Sequence, residues 1–263
     1  MVRLVCCDLD NTLLFDKNGA VPGELFGLIE KLSQRGVLFA VVSGRPVADL
    51  LRLFAPVIDK IVIAAYDGAV VLYKGEAVVS RPIDKNIYMA FIESVNNESS
   101  GLGAREYIFY TLTDAYVSGN SVFAEKALLD SVTMTGRIIR TGTPGEITEP
   151  VYKLSLLSGE GNDDFDYVVR DWSSYLNNIY TGTRWCEFVS ADTDKGYAVN
   201  LLMERFGISA AETMAFGDGI NDIGMLSACD FSYAMESSVE EVKQSASFVT
   251  DNVIRSIKEF FSM

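Results

Sequence analysis

The 263-residue chain contains no histidine. That absence excludes Ser-His-Asp and Cys-His catalysis, phosphohistidine chemistry and nearly every ligand set that zinc enzymes use. Acid–base work then falls to carboxylates, lysine, tyrosine or cysteine. Cysteine is scarce as well, with only Cys6, Cys7, Cys186 and Cys229, and no C-x-x-C pair. Cys6 and Cys7 are neighbours in an apolar run, so in a strand they point to opposite faces and are poorly placed for a disulfide with each other. Four reduced core cysteines fit a cytosolic protein. Positive charge is in deficit: 22 Lys and Arg stand against 36 Asp and Glu, a formal net charge of −14. Such a chain repels a phosphate backbone, which argues against nucleic acid as a partner. No apolar stretch approaches the roughly 18 residues that would argue for a membrane span. Asp8 and Asp10 interrupt the N-terminal apolar run almost at once, unlike a signal peptide.

What is present is an α/β rhythm. Residues 3–7 (RLVCC) read as a short buried strand. Pro22 opens a helix whose Leu25, Leu28, Ile29 and Leu32 share one face, ended by Gly36. Residues 37–42 form a second strand running into Ser43-Gly44-Arg45-Pro46, with Pro46 starting a helix through Phe54. Residues 61–66 form a third. Strand–helix–strand–helix–strand predicts a doubly wound parallel sheet with helices on both faces, and in such sheets ligands bind at the carboxyl ends of the strands. Between residues 82 and 187 the rhythm changes to an α+β mixture. It has strands at 107–110, 115–118, 152–157 and 184–189, and helices at 84–95, 121–130 and 163–176. The α/β pattern then returns with a helix at 195–206, a strand at 213–216 and three further helices. The predicted layout is a core of 1–81 and 188–263 interrupted by an inserted unit of 82–187.

Four short constellations carry chemistry. Asp8-Leu9-Asp10-Asn11-Thr12 ends the first strand. Two carboxylates two residues apart at a sheet edge are costly to hold together without a cation. Mg²⁺ would neutralise them and draw in a phosphate, which one Asp can attack while the other moves protons; the bland alternative is an exposed Asp-rich turn. Ser43-Gly44-Arg45-Pro46 offers a hydroxyl and backbone N–H groups at a helix start, suited to an anion, or is simply a capped turn. Lys195-Gly196 places a cation where the helix dipole disfavours it, a broken local rule that hints at function; otherwise Lys195 is a surface lysine. Gly217-Asp218-Gly219-Ile220-Asn221-Asp222 clusters Asp218, Asn221 and Asp222 after a buried strand, with Asp218 placed as a metal ligand, against the alternative of a solvated turn. The four fall in order, each beside a core strand or at a helix start.

Together these motifs resemble the haloacid dehalogenase superfamily and, within it, the Cof-type phosphatases. The resemblance rests on Asp8-x-Asp10-x-Thr12-Leu13, Ser43-Gly44-Arg45, Lys195-Gly196 and Gly217-Asp218-Gly219-x-Asn221-Asp222. Near the C-terminus, Ala234-Met235, Val242-Lys243, Ala246 and Val249-Thr250 are also similar. It implies a Rossmann-like core and an α/β cap of the C2 type over 82–187. Asp8 is then the nucleophile and Asp10 the general acid/base. Leu9, Thr12, Ser43, Gly44, Lys195 and Asn221 hold the phosphate. Mg²⁺ is bound by the Asp8 side chain, the Asp10 carbonyl and Asp218, with Asp222 ligating the metal or supporting its ligands. Asp two residues after the nucleophile separates the phosphatases from the ion-pumping and dehalogenating relatives.

Two departures stand out. The family usually has Asn-Gly-Ala after the third strand, whereas here it is Asp67-Gly68-Ala69, a carboxylate near the expected substrate opening that either alters substrate preference or caps a turn. Thr250-Asp251-Asn252 runs directly into Val253 where Asp-Gly-Val is common. The cap would supply substrate recognition. Arg105, Tyr110, Tyr152, Lys153, Arg184 and Glu187 are candidates, with Arg45 from the core, each equally readable as a surface or packing residue. The reading is a Mg²⁺-dependent phosphatase acting on small phosphorylated metabolites, with sugar phosphates favoured. A phosphotransferase or phosphomutase using the same aspartyl-phosphate, and a non-catalytic binding module, are the rivals.

Overall fold

The structure, a computed structural model, describes residues 1–15, 19–98, 105–118, 124, 136–158 and 165–263. The chain divides into two compact units. The first comprises Met1–Gly44, Leu50–Val79 and Asp194–Met263, and the second Arg45–Asp49 and Ser80–Thr193.

The first unit is built on an eight-stranded sheet. Its parallel strands are β1 (Leu4–Cys7), β2 (Leu38–Val42), β3 (Ile61–Ala65), β12 (Thr213–Gly217), β13 (Phe231–Met235) and β14 (Phe248–Thr250), with the hairpin strands β4 (Val70–Tyr73) and β5 (Glu76–Ser80) at one edge. The order is β14-β13-β12-β1-β2-β3-β4-β5, and only the β3–β4 pairing departs from parallel among the registers from β14 to β4. Near-continuous burial of β1, β3 and β12 is what a sheet covered on both faces demands. One face, carrying Leu4, Cys6, Ala40, Val42 and Ala215, packs on Ala198, Val199 and Leu202 of α5 (Lys195–Phe206), and on α6 (Ile223–Ser227) and α7 (Glu240–Gln244). The opposite face is covered by α1 (Gly23–Gln34), whose Leu25, Leu28, Ile29 and Leu32 are buried and which packs on β2. Arg35, just past α1, donates to the Phe261 carbonyl of α8 (Val253–Phe261) at 2.9 Å, and Pro46 precedes α2 (Val47–Leu53). The predicted α/β, doubly wound core is therefore present. Lys74 and Gly75, both at positive φ, make the β4–β5 turn tight.

The chain leaves β1 toward β2 and β3 on one side and adds β12, β13 and β14 on the other. The β1–β12 junction is thus the point where strand order reverses, and the crevice beyond its carboxyl ends is the ligand-binding position of such sheets.

The second unit carries a six-stranded sheet of order β10-β11-β9-β6-β7-β8, from β6 (Arg105–Tyr110), β7 (Ala115–Ser118), β8 (Ile138–Thr141), β9 (Lys153–Ser158), β10 (Leu176–Thr181) and β11 (Trp185–Ser190). All its pairings are antiparallel except β7–β8. Phe109, Leu154, Leu156, Cys186 and Phe188 on one face bury Phe91 and Val95 of α3 (Lys85–Glu98) and Val168 of α4 (Asp166–Trp172). Asp84 starts α3 as expected, accepting from the Asn86 N–H at 2.7 Å.

Several local expectations are corrected. The helix predicted for 163–176, whose residues 163–164 lie outside the described residues, is α4 and ends at Trp172, and Leu176 opens β10, a strand the pattern does not reveal. β8 was also unread. The helix predicted over 121–130 lies outside the described residues apart from Ala124. Among the described residues, no helix is long and apolar enough to cross a membrane. All four cysteines are buried and free.

Candidate active site

Strand β1 ends at Cys7, and Asp8 follows it with its N–H held by the Phe216 carbonyl of β12 at 2.9 Å. The backbone then turns back on itself. The N–H groups of Leu13 and Leu14 both donate to the Leu9 carbonyl, and Asn11 adopts φ 58°, a left-handed geometry that Asn tolerates. This loop buries Asp8, Leu9 and Thr12 and leaves Asp10 partly exposed. Thr12 Oγ1 donates to Asp218 Oδ1 at 3.0 Å, tying the first motif to the last across the β1–β12 junction.

Lys195 reaches the same point from α5. Asp194 caps that helix, its carboxylate accepting the Tyr197 N–H at 2.5 Å, so the lysine stands in the first turn. Gly196 permits the approach. A Cβ there would meet the backbone of Gly224 in α6 at 2.8–3.0 Å, so the two helices touch backbone to backbone. The Lys195 Nζ donates to Asp8 Oδ1 at 2.6 Å and to Asp222 Oδ1 at 2.6 Å, and lies 4.0 Å from Asp67 Oδ1. Asp222 Oδ2 accepts the N–H groups of Asp218 and Gly219, both at 2.9 Å, which locks the Gly217–Asp222 loop. The lysine that helix electrostatics disfavours is thus held by buried carboxylates, not by solvent.

Charge is unbalanced here. Among the described residues, Asp8, Asp67, Asp218 and Asp222 gather around the ammonium of Lys195. Burial opposes the Lys195 charge, but Asp222, Asp8 and Asp67 outweigh it and hold the ammonium well above its ordinary range. Burial lifts the Asp8 carboxyl well above the usual carboxylate range, with Lys195 pulling down and Asp222 pushing up. Asp218 is raised by its burial and by Asp222. Asp8, Asp218 and Asp222 each offer a carboxylate oxygen, all within 4.8 Å of one another. An all-oxygen, anionic donor set suits a hard divalent cation. With Asp222 already accepting from Lys195 and two backbone N–H groups, Asp8 and Asp218 are the more available pair.

The remaining predicted residues fall as follows. Ser43 is buried at the end of β2. Its N–H donates to the Ala64 carbonyl and its carbonyl accepts the Asp67 N–H at 3.0 Å. Gly44 lies against the Asp67 carboxylate. Asn221 Nδ2 donates to Asp67 Oδ1 at 2.9 Å. Arg45, buried, pairs with Asp49 at 3.1 Å.

Of the candidates in the second unit, Arg105, Tyr110, Lys153 and Glu187 lie in its strands and Tyr152 immediately precedes β9. Glu187 accepts from Lys153 at 3.1 Å and from Ser155 at 3.1 Å. The Lys153 ammonium stands 4.7 Å over the Tyr110 ring. The Tyr152 hydroxyl shares a 2.9 Å hydrogen bond with Ser80. Arg105 lies over Phe165 and Arg184 is exposed. Sequence reasoning did not single out Ser155, Asp194 or Gly224. Only the S/D-type cap pattern before α5 could have flagged Asp194.

A family model described as haloacid dehalogenase-like hydrolase matches residues 5–255. Among similar proteins, the 5-amino-6-(5-phospho-D-ribitylamino)uracil phosphatase YbjI of Escherichia coli is 23% identical over 251 residues, covering 94% of this chain and 90% of that protein. The crystal structure of SMU.1108c from Streptococcus mutans superposes with a TM-score of 0.87 at 20% identity, with all of both chains covered. The sugar phosphatase BT4131, described as subclass IIB of the same superfamily, superposes with a TM-score of 0.80 at 20% identity, again covering both chains fully.

Proposed function

The chain belongs to the haloacid dehalogenase-like hydrolase family, and from that premise we propose that it is a Mg²⁺-dependent phosphatase of small phosphorylated metabolites, working through an aspartyl-phosphate on Asp8. The observation that carries the proposal is the buried Lys195 bridge between Asp8 and Asp222, set beside Asp218 where strand order reverses. A lysine donating to a carboxylate at 2.6 Å fixes which oxygen faces which way, and leaves Asp8 Oδ2 as the attacking atom.

Asp8, Asp218 and the Asp10 carbonyl would hold Mg²⁺, with Asp222 orienting the loop that carries Asp218. Bound there, the ion supplies positive charge against the phosphate oxygens and offsets the burial of the carboxylates. Ser43, Gly44, Lys195 and Asn221 receive the phosphate, with Leu9 and Thr12 contributed by the nucleophile loop. Asp8 attacks phosphorus and the bond to the leaving oxygen breaks, that oxygen taking the proton of Asp10. Asp10 then removes a proton from water. The water oxygen attacks phosphorus, the Asp8–phosphorus bond breaks, and phosphate leaves with Asp8 restored. Asp10 suits this exchange because it is partly exposed where Asp8 is buried.

Residues 82–187 serve in this reading as a C2-type cap that selects the substrate. Sugar phosphates are the favoured class, in keeping with the name of one similar structure, a sugar phosphatase. The acidic surface makes nucleic acid a poor partner, and the cytoplasm is the proposed location.

Purified protein incubated with a panel of phosphorylated metabolites, with and without Mg²⁺, tests the proposal by released phosphate. Mg²⁺-dependent release from a small group of sugar phosphates is expected. No release from any member would refute it, and transfer to an added sugar in place of water would make the enzyme a phosphotransferase.

A further inference from the structure

Asp67 touches more of the motif loops than any substrate-facing role would require. It follows β3 in a left-handed turn (φ 53°), almost wholly buried. Its N–H donates to the Ser43 carbonyl at 3.0 Å, its Oδ1 accepts Asn221 Nδ2 at 2.9 Å, and the same oxygen stands 4.0 Å from Lys195 Nζ. Its Oδ2 lies so close to Gly44 that a Cβ on that glycine would approach it to 2.8 Å. The three motif loops expected to receive the phosphate thus meet at one carboxylate.

We propose that Asp67 is a positioning residue that weakens the site's hold on inorganic phosphate: it fixes the Asn221 amide and takes a share of the Lys195 charge that a bound phosphate would otherwise receive. The inference rests on the phosphatase reading given above. Its physical content is electrostatic. A carboxylate near two phosphate donors opposes the incoming anion, and in a buried setting that opposition is little screened. An asparagine at this position could accept the same Asn221 hydrogen bond through its carbonyl while carrying no charge. The negative charge is thus a difference that the Asn221 hydrogen bond does not offset. The benefit of a carboxylate is turnover, since product phosphate that leaves readily does not block the next cycle.

Asp67→Asn tests this directly. Asn adopts left-handed φ at least as readily as Asp, so the turn is preserved. Phosphate binding is measured by calorimetry on the full chain with Mg²⁺, and inhibition of turnover by inorganic phosphate is measured beside it. The variant is expected to bind phosphate about tenfold tighter, the size of a shift near 1.4 kcal/mol, with KM lowered and kcat reduced through slower release. Asp67→Gly keeps the turn but also removes the Asn221 anchor, and is expected to lose kcat with a smaller gain in phosphate affinity than Asp67→Asn. Equal or weaker phosphate binding by a folded Asp67→Asn overturns the inference while leaving the phosphatase reading intact. Absence of both phosphate binding and hydrolysis in the unmodified protein overturns both.

Discussion

Replacing Lys195 with methionine removes one ammonium and keeps most of the side-chain volume. In the native chain that ammonium lies 2.6 Å from an oxygen of Asp8 and 2.6 Å from an oxygen of Asp222, with each side chain under a tenth exposed. At an effective dielectric near 20, each contact is worth about 6 kcal/mol of direct attraction. Desolvation cancels much of it, and removing one partner of a buried pair costs about 3–5 kcal/mol net. For a chain of this size that corresponds to a fall in Tm of about 6–20 °C. The loss carries a pH signature. Asp8 already titrates above the usual carboxylate range, and without Lys195 it moves higher. A carboxyl whose folded pKa exceeds its unfolded value of about 3.9 destabilises the fold as pH rises from the unfolded value through the folded one. The Asp8 part of the deficit relative to wild type is therefore absent below both folded values and grows as pH rises from the wild-type folded value to the variant's higher one. Urea unfolding followed by circular dichroism, in chelator and across pH 4–8, measures it. A deficit below about 1 kcal/mol at neutral pH, or one that shrinks as pH rises, would refute the buried-bridge argument.

Asp8→Asn is expected to fold at least as stably as the metal-free wild type, because a buried charge is removed, yet to lose at least about four orders of magnitude in kcat. Thermal scans with and without Mg²⁺ should show the wild type stabilised and this variant much less so. Chelation by EDTA should abolish activity and added Mg²⁺ restore it, whereas full activity in chelator would contradict the metal role. Gly196→Ala forces a Cβ to within 2.8 Å of the Gly224 backbone. It should cost about 1–3 kcal/mol by chemical denaturation and lower kcat by displacing Lys195. In the second unit, Lys153→Met strands Glu187 in a largely buried setting and should destabilise by about 2–4 kcal/mol, while the double replacement with Glu187→Met should recover most of the loss in a double-mutant cycle.

The core was legible in the sequence because its strands are short, wholly apolar and closed by motif residues, as at Cys7–Asp8, Val42–Ser43 and Gly217–Asp218. The edge strands of the second unit were not. β10 carries Asn177 and Asn178, loses burial along its length and slips register between Asn178 and Tyr180, so no alternation survives to mark it. Its first residue, Leu176, continues the helical spacing of the preceding segment, which carried the predicted helix four residues beyond its observed end at Trp172. β8 joins the sheet only at the β7 edge, with its adjacent isoleucines both half-buried. In the site, the convergence of Asp8, Lys195 and Asp218 could be anticipated, since each stands at a strand end or helix start. The tight Gly196–Gly224 approach depends on how α5 and α6 pack. The reach of Asp67 depends on a left-handed turn meeting residues 128 and 154 positions away, and no local pattern encodes either.

The pairing of β1 with β12 joins residues 4–7 to residues 213–216. During synthesis at about 5–20 residues per second, the first half of the central sheet waits roughly 10–40 s for its partner strand. Throughout that interval β1 has one flank open, and Asp8 lacks both Lys195 and Asp218. The second unit, whose strands lie between residues 105 and 190, is complete in sequence before Lys195 is made. Its sheet draws on neighbours much nearer in the chain and can close first. The phosphate chemistry is consequently assembled last, and a nascent chain arrested between residues 193 and 213 would hold every described strand of the second unit and no working centre.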